Sequence, residues 1–247
     1  MSMKLVAFVL SLFGSPPTAS KPATVSRPPV VRQVRVAQAV TADTIVDQVQ
    51  KFYQATPQLT AKFRQTTMNA TFGVPQVSDG KVYLKKPGKM RWDYYSKRSA
   101  TLVTKNQLSD GKTIWVVDKS GKWFYKQDLG KSALPVAVTF LTGTGNLKAE
   151  FNAAMDKSGL YNKTDAKDHV LKLTPKKPSV QIKALYLVVD PTNYRVKKSI
   201  VVNAAGDTNQ FAFYEPDFTK SVNDNWFKFD PKAARGFREI KDQDAPK

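Results

Sequence analysis

The chain turns sharply at Lys85-Lys86-Pro87-Gly88-Lys89 and continues into Met90-Arg91-Trp92-Asp93-Tyr94. Pro87 fixes its own φ and Gly88 tolerates a positive φ, so the pair predicts a reversal of the chain. The residues before the turn, 82–84, and those after it are therefore expected to form two adjacent strands.

The strand after this turn has two different faces. Side chains alternate along a strand, so Met90, Trp92 and Tyr94 share one face while Arg91 and Asp93 lie on the other. An apolar row of this kind is more often ordinary core than a ligand-binding surface. A functional role for it needs support from the rest of the chain.

Composition excludes several functional classes. The chain has 247 residues and no cysteine, which rules out disulfides, thiolate metal sites, a cysteine nucleophile and a lipid-modified N-terminal cysteine. With 39 basic and 20 acidic side chains the formal net charge is +19. This charge favours an anionic partner, and it does not distinguish nucleic acid, a membrane surface or an acidic protein.

The N-terminus is typical of an exported protein. Lys4 precedes the apolar run 5–13, which is too short to span a bilayer and suits the apolar region of a secretory signal. Residues 16–40 are rich in proline and basic side chains, which predicts a flexible linker. We therefore expect a signal-like segment and linker at 1–40 and one folded domain at 41–247, with the cleavage site left open.

The domain begins with a helix and continues as strands. Residues 41–56 offer N-cap side chains and apolar residues at helical spacing, which predicts a helix that ends before Pro57. The period then changes to two, and turn residues separate the segments that follow. A loop is predicted around Gly73-Val74-Pro75, and the second strand is predicted to begin after Asp79-Gly80. The other strands are predicted from Leu59, at 90–95, 100–104, 113–118 and 123–127, from Val170, and at 182–189, 196–202, 209–214 and 226–229.

This pattern predicts a mainly β, α+β fold. Ten or eleven sequential strands without a long internal linker favour a single curved antiparallel sheet. A second helical segment is predicted between residues 135 and 151, where the alternation stops and Val136, Val138 and Phe140 recur. Both helical elements are expected to cover the concave side of the sheet.

The chain offers little catalytic chemistry. His169 is the single histidine, no Gly-x-Ser-x-Gly elbow accompanies it, and no carboxylate pair stands out. The sequence therefore predicts a protein that is not an enzyme and that has no metal and no cofactor. An alternative is a nucleic-acid platform in which strand residues such as Trp92, Trp115 and Trp123 stack on bases beside basic side chains, although the signal-like N-terminus argues against it.

Several short motifs, taken in order, resemble the LolA-type carriers, periplasmic proteins that carry lipid-modified proteins to the outer membrane. The resemblance runs from about Ile45 to Ile240. It implies an unclosed half-barrel with a helical lid over an apolar cavity that receives acyl chains. The motifs that carry it are Leu59–Gln65, Gly80–Leu84, Lys86–Trp92, Asp110–Trp115, Leu171–Lys176 and Phe227–Pro231.

The resemblance also implies positions for the binding site. The expected cavity wall consists of Phe63, Met90, Trp92, Leu102 and Trp115, with Phe52 and Phe140 on the covering helices. Each of these side chains could equally belong to a sealed core. Lys86 stands where the family usually has an arginine that holds the lid shut, and lysine cannot reproduce a bidentate grip. We expect Lys86 to control the lid, and whether it replaces that arginine stays open.

The expected function is a periplasmic lipoprotein carrier of a Gram-negative bacterium. Its implied partners are the acyl chains of lipoproteins and an inner-membrane ABC-type release complex, and whether a separate outer-membrane acceptor exists stays open. We expect a monomer that binds no nucleic acid. The alternative within the same fold is a periplasmic protein that senses lipid or lipoprotein as a signal.

Overall fold

An amphipathic helix opens the part of the chain described by this computed structural model, which comprises residues 40–129, 140–142, 145–161 and 165–241. Helix α1 spans Ala42–Ala55, and the side chain of Thr41 caps it by accepting a hydrogen bond from the backbone N–H of Thr44. Its buried residues recur at helical spacing: Ile45, Val46, Val49 and Tyr53. The helix expected from the sequence is therefore confirmed.

Twelve strands follow in the described residues. They are β1 Gln58–Met68, β2 Pro75–Lys85, β3 Lys89–Ser96, β4 Ser99–Asp110, β5 Thr113–Asp118, β6 Trp123–Asp128, β7 Phe151–Met155, β8 His169–Pro175, β9 Ala184–Val189, β10 Val196–Val202, β11 Thr208–Asp217 and β12 Arg238–Glu239. A short helix α2, Leu147–Glu150, directly precedes β7. Two 3₁₀ turns occupy Phe140–Thr142 and Asp224–Phe227.

All twelve strands belong to one unclosed sheet. Its order is β12-β6-β5-β4-β3-β2-β1-β11-β10-β9-β8-β7, so two meanders meet where β1 pairs with β11. Every neighbouring pair is antiparallel except β12 and β6, which run parallel. The half-barrel expected from the sequence is confirmed. Its ten or eleven predicted strands become twelve because β7 lacks β-branched residues and β12 has only two residues, so neither gives a strand signal.

Two local predictions were wrong. The second strand does not begin after Asp79-Gly80, because β2 begins at Pro75 and runs straight through these two residues. A Cβ on Gly80 would lie 2.1 Å from the carbonyl oxygen of Asp93 and 2.6 Å from the ring of Phe63, so the glycine makes room for a neighbouring strand and ring. The predicted strand at 226–229 is also wrong: Asp224–Phe227 is a 3₁₀ turn.

The helical elements cover the concave face of the sheet. Strand pairing aligns Phe63 with Gly80 and Tyr94, and Val82 with Trp92, so these positions share that face. The buried residues of α1 join them in one apolar cluster, together with Phe140 and Leu147. A smaller cluster lies on the opposite, convex face: Val170, Ala184, Tyr186, Val188 and Ile200. Val136 and Val138 of the second predicted helical segment lie outside the described residues.

Candidate functional site

An aromatic cluster forms the floor of the concave face. Phe63, Met90 and Trp92 are each at most 2% exposed. The ring of Phe63 lies edge-on to Trp92 at 5.0 Å, and Trp92 in turn packs against Phe211 at 5.0 Å and Phe213 at 6.3 Å. These contacts join residues of β1, β3 and β11 into one apolar surface.

The C-terminal half of α1 and the 3₁₀ turn Phe140–Thr142 cover this surface with further rings. Phe140 is fully buried and packs edge-on against Tyr53 at 5.3 Å. Phe52 is partly buried and packs edge-on against Phe218 at 5.3 Å. The hydroxyl of Tyr53 accepts a hydrogen bond of 3.1 Å from the backbone N–H of Val196, and burial raises the pKa of this phenol.

Lys86 ties the end of α1 to the β2–β3 turn. Its Nζ donates to the carbonyl oxygens of Tyr53 and Gln54, both at 2.5 Å. These carbonyls belong to the last turn of the helix, where the usual i+4 donor is missing and where a cation is favourable, although the carbonyl of Tyr53 also accepts from the N–H of Thr56 at 3.3 Å. Desolvation lowers the pKa of the ammonium. Lys86 thus contacts the element that the sequence analysis expected it to hold.

A second set of polar contacts joins α1 to α2. The side chain of Gln50 donates to the carbonyl of Gly145 at 3.1 Å and accepts from the backbone N–H of Leu147 at 3.0 Å. On the exposed side, Lys148 pairs with Asp47 at 2.7 Å. We call α1, α2 and the 3₁₀ turn Phe140–Thr142 the lid, because they cover the concave face together.

The part of the concave face that lies under the lid is closed in this structure. A cavity of about 20 Å³ remains between the end of α1 and strands β1 and β11, lined by Tyr53, Leu59, Leu141 and Phe213 among others. Pockets that hold small molecules usually measure roughly 300–1,000 Å³, and about 10–15 Å³ is enough for a single water. Aromatic and aliphatic side chains therefore fill the space that an apolar ligand would occupy.

Two of the predicted wall residues lie elsewhere. Trp115 is on the convex face, where its ring stacks on Phe229 at 5.8 Å, because its neighbour Ile114 takes the inward position of β5. Leu102 is 59% exposed near the start of β4, beyond the point where bulges interrupt the pairing of β3 with β4. Neither side chain belongs to the cluster that includes Phe63, Met90, Trp92, Phe52 and Phe140.

Three ring residues of the site were missed in the sequence. Phe211 and Phe213 alternate within β11 and face the same side as Phe63, a pattern that the predicted strand 209–214 already contained. Tyr53 lies within the helix predicted at 41–56, but no role in the site was predicted for it. Its hydrogen bond to Val196 joins residues 143 positions apart, and no local signal predicts it.

The C-terminal segment crosses the convex face beside the same turn. Asp224 pairs with Lys85 at 2.7 Å and Lys89 at 2.9 Å, and hydrogen bonds from these two lysines lower its pKa to about 2. The guanidinium of Arg91 lies 5.2 Å from the ring centre of Trp226. The β2–β3 turn therefore holds the lid on one side of the sheet and the C-terminal segment on the other.

The described residues offer neither a metal-ligand group nor a membrane-spanning helix. Among residues 40–129, 140–142, 145–161 and 165–241, no three acidic, histidine or cysteine side chains are grouped so that they could hold a metal ion. No helix within these ranges is both long and apolar enough to cross a membrane.

Comparisons with known proteins agree on one family. Residues 54–230 match the model of the family described as outer membrane lipoprotein carrier protein LolA, which confirms the resemblance. The outer-membrane lipoprotein carrier protein of Dechloromonas aromatica is 27% identical over 106 residues, 43% of this chain and 49% of that protein. Its namesake from Coxiella burnetii is 32% identical over 92 residues, 37% of this chain and 41% of that protein.

The chain thus spans about half the length, or less, of the curated relatives it matches. Among solved structures, it is similar to a LolA superfamily protein from Nitrosomonas europaea. That match has a TM-score of 0.42 at 14% identity and covers 77% of this chain and 99% of the other.

Proposed function

Because the chain belongs to the LolA family of outer membrane lipoprotein carriers, we propose that it binds the acyl chains of lipid-modified proteins on the concave face of its half-barrel. The observation that carries this proposal is the apolar, aromatic-rich floor under a lid that few polar contacts hold down. A carrier of this kind needs no catalytic group. The proposal includes transport through the periplasm of a Gram-negative bacterium, from an inner-membrane ABC-type release complex to the outer membrane.

An acyl carrier has to protect apolar surface in both of its states. Burial of an acyl chain is worth about 0.8 kcal/mol per methylene, so a chain of roughly 14 methylenes contributes about 11 kcal/mol. In the empty carrier the binding surface itself would be exposed, and a large exposed apolar patch promotes aggregation. In the closed structure Phe140 and the buried stripe of α1 occupy the floor and keep it dry.

Loading therefore requires the lid to move. The described polar contacts that oppose this movement include those of Lys86, of the Tyr53 hydroxyl and of Lys176, which donates to two carbonyls of α2. The contacts of Gln50 and the exposed pair of Asp47 and Lys148 join parts of the lid to each other. Each is worth about 1–2 kcal/mol net, and an exposed ion pair less. The free energy gained by burying an acyl chain exceeds the sum of these contacts. The bound acyl chain also covers the apolar floor that α1 exposes when the lid opens.

Site-specific photocrosslinking tests this proposal. The chain is expressed with its N-terminal segment in a Gram-negative host, with p-benzoylphenylalanine in place of Phe213 or of Trp115. Phe213 belongs to the aromatic floor of the site, whereas Trp115 lies on the convex face, so the Trp115 position is a matched control. We expect lipoproteins in the crosslinked products of the Phe213 position and none above background from the Trp115 position.

Native mass spectrometry of the parent protein, purified from the periplasm, provides the stoichiometry. We expect a 1:1 complex with a lipoprotein or with its acyl chains. Equal crosslinking from both positions, or recovery of nucleic acid in place of lipid, would contradict the proposal.

A further inference from the structure

Exposed apolar side chains gather at one end of the half-barrel. This end, which we call the rim, is where β1, β3, β5, β8 and β10 finish and their antiparallel neighbours begin. Phe72 and Val74 are 78% and 66% exposed in the β1–β2 connection. Four further exposed apolar residues lie in or next to the rim connections: Met68, Val77, Leu102 and Val180.

The same end carries a concentration of positive charge. Its hairpin connections, residues 69–74, 97–98, 119–122, 176–183 and 203–207, contain seven cations and one acid. The described connections at the opposite end, residues 86–88, 111–112, 156–161, 165–168 and 190–195, contain five cations and four acids. Six rim cations are exposed and form no salt bridge with any described residue: Lys97, Arg98, Lys119, Lys122, Lys177 and Lys183.

The loop that presents Phe72 is held in shape by hydrogen bonds. The side chain of Asn69 accepts from the backbone N–H groups of Thr71 and Phe72 at 3.0 and 3.2 Å. The carboxylate of Asp207, in the β10–β11 connection, accepts from the N–H of Ala70 at 2.9 Å. An exposed aromatic ring on a loop held by hydrogen bonds loses little conformational freedom when it binds a partner. The loop is therefore suited to form part of an interaction surface.

The rim also surrounds the open part of the concave face. A groove of about 780 Å³ lies beside Tyr94, Lys97 and Arg98, and a second of about 740 Å³ lies beside Phe72 and Val74. Whatever docks on the rim therefore faces the entrance to the half-barrel.

We propose that the rim docks on an anionic lipid surface. The apolar loops enter the headgroup region, and the surrounding lysines and arginines contact lipid phosphates, as in peripheral proteins that combine both features. Nucleic acid could bind the cations and stack on Phe72. Nucleic-acid binding does not explain, however, why the aliphatic side chains of Val74, Leu102 and Val180 are exposed at the rim. This docking goes beyond the proposed acyl-binding function, because it does not require an occupied site.

Vesicle flotation with the purified full chain tests the rim. The vesicles are 3:1 phosphatidylethanolamine and phosphatidylglycerol, with pure phosphatidylcholine as the neutral reference. We expect binding to the anionic vesicles that weakens as salt is added, since surface charges are screened. Each cation near an anionic surface is worth about fivefold in affinity, so the anionic vesicles should bind at least about tenfold more tightly.

Two rim variants and two matched controls locate the surface. Lys97→Glu with Arg98→Glu, and Phe72→Ser with Val74→Ser, are each expected to weaken binding at least about tenfold. The controls make changes of the same kind at the opposite end: Lys112→Glu with Lys167→Glu for the charge, and the single change Leu160→Ser, which removes an apolar side chain that is 68% exposed there. We expect both controls to bind like the parent.

A fluorescent fatty acid and circular dichroism, applied to the same samples, report on the acyl site and the fold. All four variants should keep both signals, so a failure of the rim proposal is distinct from a failure of the carrier proposal. No binding to anionic vesicles, or equal losses in rim variants and controls, would overturn the rim proposal.

Discussion

Removal of the Lys86 side-chain charge should open the lid. Lys86→Leu deletes two hydrogen bonds of 2.5 Å from an ammonium to the last carbonyls of α1, on Tyr53 and Gln54. Hydrogen bonds that involve a charged group contribute roughly 1.5–3 kcal/mol each, and water can replace them at this partly exposed position. We therefore expect the closed lid to lose about 2 kcal/mol in total, after discounting for solvent.

This loss can be converted into a change in affinity. A shift of about 2 kcal/mol changes the ratio of open to closed lid by roughly 30-fold. Since the apparent dissociation constant is the intrinsic one divided by the open fraction, the variant should bind a fluorescent fatty acid up to about 30-fold more tightly. The opposite change, Lys86→Arg, offers a planar group to the same carbonyls and should weaken binding.

A neighbouring lysine provides the control. Lys89→Leu removes a cation from the same turn, but its partner is Asp224 on the convex face and not the lid. We expect its affinity for the fatty acid to match the parent. Hydrogen exchange of the α1 amides should quicken in Lys86→Leu and stay unchanged in Lys89→Leu. If Lys86→Leu, Lys86→Arg and the control all match the parent in affinity, Lys86 does not govern the lid.

Two further changes test the packing and the electrostatics around the site. Gly80→Ala places a Cβ 2.6 Å from the ring of Phe63, so we expect the unfolding free energy, measured by denaturant titration, to fall by about 1–3 kcal/mol. The control Ser78→Ala, at an exposed position of the same strand, should change it by no more than about 0.5 kcal/mol. Asp224, with its pKa lowered to about 2, stabilises the C-terminal segment above its unfolded pKa of 3.8, and this contribution disappears as the pH falls through about 2. The fluorescence of Trp226 should change between pH 4 and 2 as the C-terminal segment loosens. In Asp224→Asn the fluorescence should stay constant over this range, because the titrating carboxylate is gone. The same transition in Asp224→Asn would contradict the assignment to Asp224.

Much of the architecture followed from local patterns in the sequence. The helical spacing from Ile45 to Tyr53 predicted α1, and the alternation after Pro57 predicted most of the strands, because these periods depend only on backbone geometry. Met90 and Trp92 were placed correctly on one face by the same alternation. Turn residues located the reversal at Pro87 and Gly88 between β2 and β3.

Other features depended on contacts between distant parts of the chain. Alternation divides a strand into two faces, but it does not say which face is concave, and Trp115 was therefore assigned to the wrong side of β5. Asp79-Gly80 has the composition of a turn, yet a neighbouring strand and the ring of Phe63 require a glycine within β2. The aromatic residues of the 3₁₀ turn at Trp226 gave a strand signal in the sequence. In the structure Trp226 packs on the convex face against Tyr83, a contact that no local pattern predicts.

The sequence by itself determined that this chain forms a mainly β protein with a helix before the sheet, and that it resembles the LolA family. Only the tertiary structure decided which rings line the site, because Phe63, Trp92 and Phe211 meet through strand pairing across nearly 150 residues. It also decided that Lys86 reaches the end of α1, since residues more than 30 positions apart must first fold against each other. Local preferences specify elements, whereas the site arises from the free energy of packing those elements together.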